Sequence, residues 1–192
     1  MRLYFPHPVN VYDTPLEGAI ITFALSQIPG AEIENPNQPY HQVGYTKYAE
    51  RAKLASTQHK GMNYFFDEVL PTCGGCVSLP FLDGRMGLGV AGETKWYVER
   101  DLWAWMIHPE RVLSKADLED FAKNPREGFW HIAPITVAEA ELLRSGDPLL
   151  VVPHVETRLR TWVIYNKERR PYEAAHLLPP VVPEGFYPDG SK

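Results

Sequence analysis

Apolar positions along the chain alternate between two spacings, and the changes of spacing outline its elements. Leu3-Tyr-Phe5 is a short apolar run that predicts a first strand. In Asp13-Thr-Pro-Leu-Glu17, Thr14 suits an N-cap, Pro15 the first helical position and Glu17 a capping box. Leu16, Ile20, Phe23 and Ala24 then recur at helical spacing until Pro29-Gly30, and Ala31-Glu-Ile-Glu34 reads as a second strand followed by a loop over 35–39. From 43 to 70, Tyr45, Tyr48, Ala52 and Ala55, then Met62, Phe65, Phe66 and Val69, form two helical stripes. They predict two helices, or one interrupted at Gly61.

The third strand is expected over 76–82, where Val77-Ser-Leu-Pro-Phe-Leu82 is a buried-strand pattern. It runs into Asp83, Gly84, Gly87 and Gly89, a backbone suited to tight turns and close approach to a ligand. A helix to about Arg100 follows, with Glu93 expected in its first turn. Leu102-Trp-Ala-Trp-Met-Ile107 predicts a fourth, buried strand on which Trp103 and Trp105, like Trp96 on the helix before it, are expected in the core or at a subunit interface. Ser114 and Thr136 suit the caps of two short helices through Phe121 and Leu143, and 149–152 predicts a fifth strand. Alternating strands and helices favour an α/β fold with a mainly parallel sheet of about five strands, covered on both faces. Residues 1–152 form the expected domain. The less regular, proline-rich 153–192 is expected to be an extension packing on it or on a neighbouring subunit.

Composition narrows the classes. A chain of 192 residues with 44% hydrophobic content is long enough for one sizeable core, and 12% aromatics with 22% charged residues argues against disorder. The net charge of -5 and the dispersed Lys and Arg give no nucleic-acid footprint. No run approaches the roughly 20 apolar residues that span a bilayer, and MRLYFPHPV carries no charged-then-apolar leader, so a soluble, cytoplasmic protein is expected. The two cysteines form one Cys73-Gly-Gly-Cys76 ahead of a strand rather than at a helix start, and the seven histidines are unpaired in sequence. Two reduced thiols and no metal or cofactor are expected.

Leu88-Gly-Val-Ala-Gly-Glu93 resembles the Gly-x-x-x-Glu motif that follows the third strand in nucleoside 2-deoxyribosyltransferases and the related deoxynucleoside 5'-monophosphate N-glycosidases. Phe66-Asp-Glu-Val-Leu70 ahead of that strand looks like their upstream acid, with Asp67 in its place, and Leu3-Tyr-Phe5 resembles their opening strand. The resemblance covers about residues 1–110. It implies a flavodoxin-like doubly wound fold, scission of the bond between base and deoxyribose, and a homo-oligomer whose neighbouring subunits complete the site. It further implies Glu93 as nucleophile or cation stabiliser, Asp67 as the group serving the leaving base, and Tyr4 as the hydroxyl positioning Glu93.

The chain also departs from that pattern. Thr94-Lys-Trp-Tyr97 stands where the family commonly has Leu/Ile-Gly-Tyr/Arg-Ala, and Gly87 stands where transferases often carry a further acid, for which Asp83 or Arg85 could substitute. Pro6-His-Pro-Val-Asn10 replaces the glycine- and serine-containing phosphate loop of the N-glycosidases, so a 5'-phosphate pocket is not expected. His7, Asp83, Gly87 and Gly89 are the expected substrate contacts, because ligands of open α/β sheets lie beyond the carboxyl ends of the strands. Breaking an N-glycosidic bond passes through an oxocarbenium-like centre, which calls for a carboxylate beside the anomeric carbon and a proton for the departing base. Glu93 at a helix start would be kept ionised by the N-terminal dipole. The expected partner is a small nucleoside or nucleotide; a non-catalytic binding module that keeps the fold is the alternative.

Overall fold

The computed structural model describes residues 1–54 and 61–152 together with Leu177. Its centre is a sheet of five strands: β1 (Arg2–Tyr4), β2 (Glu32–Glu34), β3 (Gly75–Ser78), β5 (Trp103–Pro109) and β6 (Trp130–Pro134), in the order β2-β1-β3-β5-β6. The first four run parallel, with Tyr4 beside both Glu34 and Cys76 in register, and β6 lies antiparallel to β5. The fold is therefore α/β with a mostly parallel sheet.

Successive strand residues face opposite sides, and the chain uses that alternation to build two cores. Phe5, Val77 and Ile107 join α1 (Pro15–Gln27) and α4 (Lys115–Lys123) through Ile20, Phe23, Leu118 and Phe121. Their neighbours Tyr4, Cys76 and Met106 face the other way, toward α3 (Leu88–Val98) and α5 (Val137–Ser145). Helix α2 (Pro39–Leu54) follows β2 directly, and a π turn, Phe65–Val69, leads toward β3.

The helix starts obey their caps. Ser114 with Asp117 and Thr136 with Glu139 form complete capping boxes. At α1 the Thr14 hydroxyl accepts from the Glu17 amide, but the Glu17 carboxylate reaches back to the amide of Asp13, because the Thr14 amide already donates to the Val11 carbonyl.

The strand expected over 76–82 spans only Gly75–Ser78; beyond it Pro80 has no amide to donate, and the Leu79 amide turns to the Pro6 carbonyl. The segment expected as the fifth strand yields β7 (Val151–Val152), which pairs with β4 (Met86–Gly87) in a separate two-stranded sheet. The fifth strand of the main sheet is β6, where Trp130-His-Ile-Ala-Pro lacks a continuous apolar run and pairs through its backbone with β5. Trp103, at the outer end of β5, is 57% exposed in the single chain, so of the two places expected for it the core is not the one it occupies. The extension expected over 153–192 lies outside the described residues except at Leu177, which is fully buried in the α1/α4 core and accepts from the Leu82 amide at 2.7 Å. Among the described residues no helix is long and apolar enough to cross a membrane.

Candidate active site

Helix α3 is fastened to the sheet by its second and third turns. The Thr94 hydroxyl lies 2.7 Å from that of Ser78 on β3 and bonds the Val90 carbonyl, while the Tyr97 hydroxyl donates to the Leu70 carbonyl. Glu93, adjacent to Thr94, is carried by this docking to the end of β1. There the Tyr4 hydroxyl donates to its Oε1 at 2.9 Å, across 89 residues of sequence. Both side chains are buried. Burial, followed by the negative charge of Glu93, raises the Tyr4 phenol well above its ordinary range, so it stays protonated and remains a donor.

The position of Glu93 along its helix differs from expectation. Helix α3 begins at Leu88, which puts Glu93 in the second turn, where the N-terminal dipole has largely faded. The Tyr4 hydroxyl supplies a donor to the carboxylate there. A carboxylate held this way can attack or shield an electron-deficient carbon, and a phenol that remains protonated can fix which oxygen is presented.

The other expected residues occupy different surroundings. Asp67 is exposed on the π turn, where its charge helps raise the Tyr48 phenol, whereas the carboxylate acting on Tyr4 is Glu93. Its neighbours Phe65 and Phe66 face inward: Phe65 packs on Tyr4, with ring centroids 6.3 Å apart, and Phe66 lies against Gly92 of α3. His7 is buried, its Nδ1 2.7 Å from the Phe5 carbonyl and its Nε2 3.1 Å from Glu17 Oε1, and its ring stacks on Phe5. These contacts engage both ring nitrogens within the β1–α1 region. Asp83 is exposed and closes its own loop through the amide and Nε of Arg85. Gly87 caps α3 while pairing with Val152, and Gly89 lies in the first turn of α3.

Two buried carboxylates unassigned from sequence lie near this pair of elements. Glu17 accepts from Asn35 and Asn37 as well as contacting His7. Burial acts to raise its carboxyl, but the His7 hydrogen bond and charge, with the hydrogen bonds from Asn35 and the Asp13 amide, outweigh it and the net shift is downward. Glu34 at the end of β2 accepts from Arg2 and from the Tyr40 hydroxyl at 2.5 Å, and His41 Nε2 lies 2.6 Å from its Oε1. His41 in turn places Nδ1 3.1 Å from the Tyr64 hydroxyl. Burial, then the Arg2 charge, lowers the His41 pKa to about 4. The available signal was positional: Glu34 is a charged residue at the carboxyl end of a strand, where an open α/β sheet gathers its ligands.

Cys73 and Cys76 are both buried and unlinked, and burial pushes the Cys76 thiol up to about 12, away from thiolate chemistry. Among the described residues no group of three or more His, Cys, Asp or Glu side chains is arranged to hold a metal. Comparison with protein-family models, with curated proteins and with solved structures finds no match to this chain.

Proposed function

We propose that this chain is an enzyme that cleaves or transfers the N-glycosidic bond of a deoxynucleoside or related N-glycoside, on a flavodoxin-like fold. The observation that carries the reading is the buried Tyr4–Glu93 hydrogen bond. The strand order supports it: in a 2-1-3-4-5 sheet the topological switch lies between the first and third strands, and Tyr4 and Cys76 pair at that junction.

In this mechanism the bond from the anomeric carbon to the base nitrogen breaks, and the base departs with the electron pair and takes up a proton from solvent. Glu93 shields the resulting cation or bonds to it, with Tyr4 holding the carboxylate in line. Water or a second base then attacks the same carbon, gives up its proton to solvent, and restores the free carboxylate. Asp67, being exposed, enters only as a group reached from solvent, and copies of the chain in an oligomer would complete the site. A nucleoside substrate fits a cytoplasmic location.

The second reading is a nucleoside-binding module without turnover, and the burial of Glu93, 6% exposed, favours it. The two separate on incubation with each deoxynucleoside, with and without an acceptor base. Base release or exchange that vanishes in Glu93→Ala supports the enzyme; a ligand-induced melting shift without base release supports the module.

A further inference from the structure

The contacts from Glu34 through His41 to Tyr64 impose a direction on their protons. Glu34 receives Arg2 on one oxygen and Tyr40 on the other, and as a carboxylate it can only accept. His41 therefore presents Nε2–H to it, which leaves Nδ1 as a lone pair. The Tyr64 hydroxyl donates to that lone pair. A hydroxyl whose single proton is committed inward has only acceptor capacity left for anything that approaches from outside.

Two glycines make this arrangement possible. A Cβ at Gly44 of α2 would stand 2.2 Å from Cζ of Tyr64, so the Tyr64 ring lies directly on the helix backbone. Reciprocally, a Cβ at Gly61 would stand 2.7 Å from Cζ of Tyr45. Glycine inside a helix is unfavourable, and at Gly44 it admits the one ring position from which Tyr64 reaches His41. Tyr64 is half-buried, and Phe65 links it to the candidate site: Phe65 is 5.2 Å from Tyr64, 5.5 Å from His41 and 6.3 Å from Tyr4, between ring centroids. Tyr64 and Tyr4 therefore pack against the same Phe65 ring.

We propose that Tyr64 is a specificity residue whose oriented hydroxyl oxygen accepts a hydrogen bond from an exocyclic amino group of the base, selecting adenine- and cytosine-type bases over their oxo counterparts. The proposal rests on the N-glycoside reading above and names its substrate class. An oxo base turns a carbonyl lone pair toward the same oxygen, and two acceptors then face each other. His41, Glu34 and Gly44 act through Tyr64 as positioning residues. The raised pKa of the Tyr64 phenol, caused by burial and then by Glu68, keeps the proton that defines this polarity.

The test uses free bases, which need no turnover. Dissociation constants of the full chain for adenine against hypoxanthine, and cytosine against uracil, are measured by calorimetry. Each amino base is expected to bind at least about tenfold tighter than its oxo partner, the scale of one discriminating hydrogen bond. Tyr64→Phe reduces the ratio to about threefold or less by weakening the amino base. Gly44→Ala and His41→Phe do the same while retaining the phenol, provided thermal melting shows them folded. Equal affinities in the unaltered protein, a preference that survives Tyr64→Phe, or no binding of any base overturns the proposal. Base release that requires Glu93 without an amino preference ends this inference alone. An amino preference without base release from any deoxynucleoside ends the enzyme reading alone.

Discussion

Tyr4, the last residue of β1, and Glu93, in the second turn of α3, meet at 2.9 Å in the protein interior. The contact joins the docking of a helix to the orientation of a carboxylate, so disturbing either residue should be visible both in stability and in chemistry.

Tyr4→Phe removes a buried donor and leaves Glu93 to be satisfied by its remaining surroundings. Loss of a hydrogen bond to a charged group destabilises by about 1.5–3 kcal/mol. The denaturant midpoint should fall accordingly, and turnover, read as kcat/KM for base release, should fall by about 10²-fold, as when one preorganised donor is removed.

Acid should weaken the fold through His41. Its folded pKa of about 4 lies below the ordinary 6.5, so the unfolded chain binds the proton more tightly. Stability from this residue is complete above pH 6.5 and declines as pH falls toward 4. Glu17, whose folded pKa is also lowered, contributes stability that is present above its ordinary 4.5 and lost on further acidification. Chemical denaturation at successive pH values should show a falling midpoint from 6.5 to 4, and His41→Gln should flatten that interval selectively.

Thr94→Val retains shape but leaves the buried Ser78 hydroxyl without its 2.7 Å partner. A cost of about 1–3 kcal/mol in denaturant unfolding is expected. Because Thr94 neighbours Glu93, turnover should fall with it, whereas a substitution of the Asp83–Arg85 loop pair, which is exposed, should leave the denaturant midpoint within about 0.5 kcal/mol.

Asp67→Asn alters an exposed carboxylate on the π turn. Its melting temperature should match that of the unaltered protein, and base release should stay within about threefold. A loss comparable to that of Tyr4→Phe would return Asp67 to the chemistry.

Much of this architecture was legible because local signals agreed with the pattern of burial. Ser114 and Thr136 announce α4 and α5, and the apolar runs at Leu3, Val77 and Trp103 mark three strands. The strand β6 was illegible because its pairing is made by backbone groups, and its side chains alternate too weakly to show a buried face. Tyr4 and Glu93 could be singled out by resemblance, but their contact depends on the helix-to-sheet hydroxyl pair of Thr94 and Ser78, which no spacing encodes. The Glu34–His41–Tyr64 chain escaped notice for a related reason. It needs the bare backbone at Gly44, and a glycine within a helical stripe carries no sign of the ring that packs on it.

The most direct measurement is the rate of base release from a deoxynucleoside by Glu93→Gln beside the unaltered protein. The amide oxygen of glutamine can still accept from Tyr4, so fold and melting temperature should be preserved while the carboxylate charge is lost. The account predicts base release by the unaltered chain and a fall of at least about 10³-fold in the variant. Rates within threefold of each other, in two equally folded proteins, would contradict it.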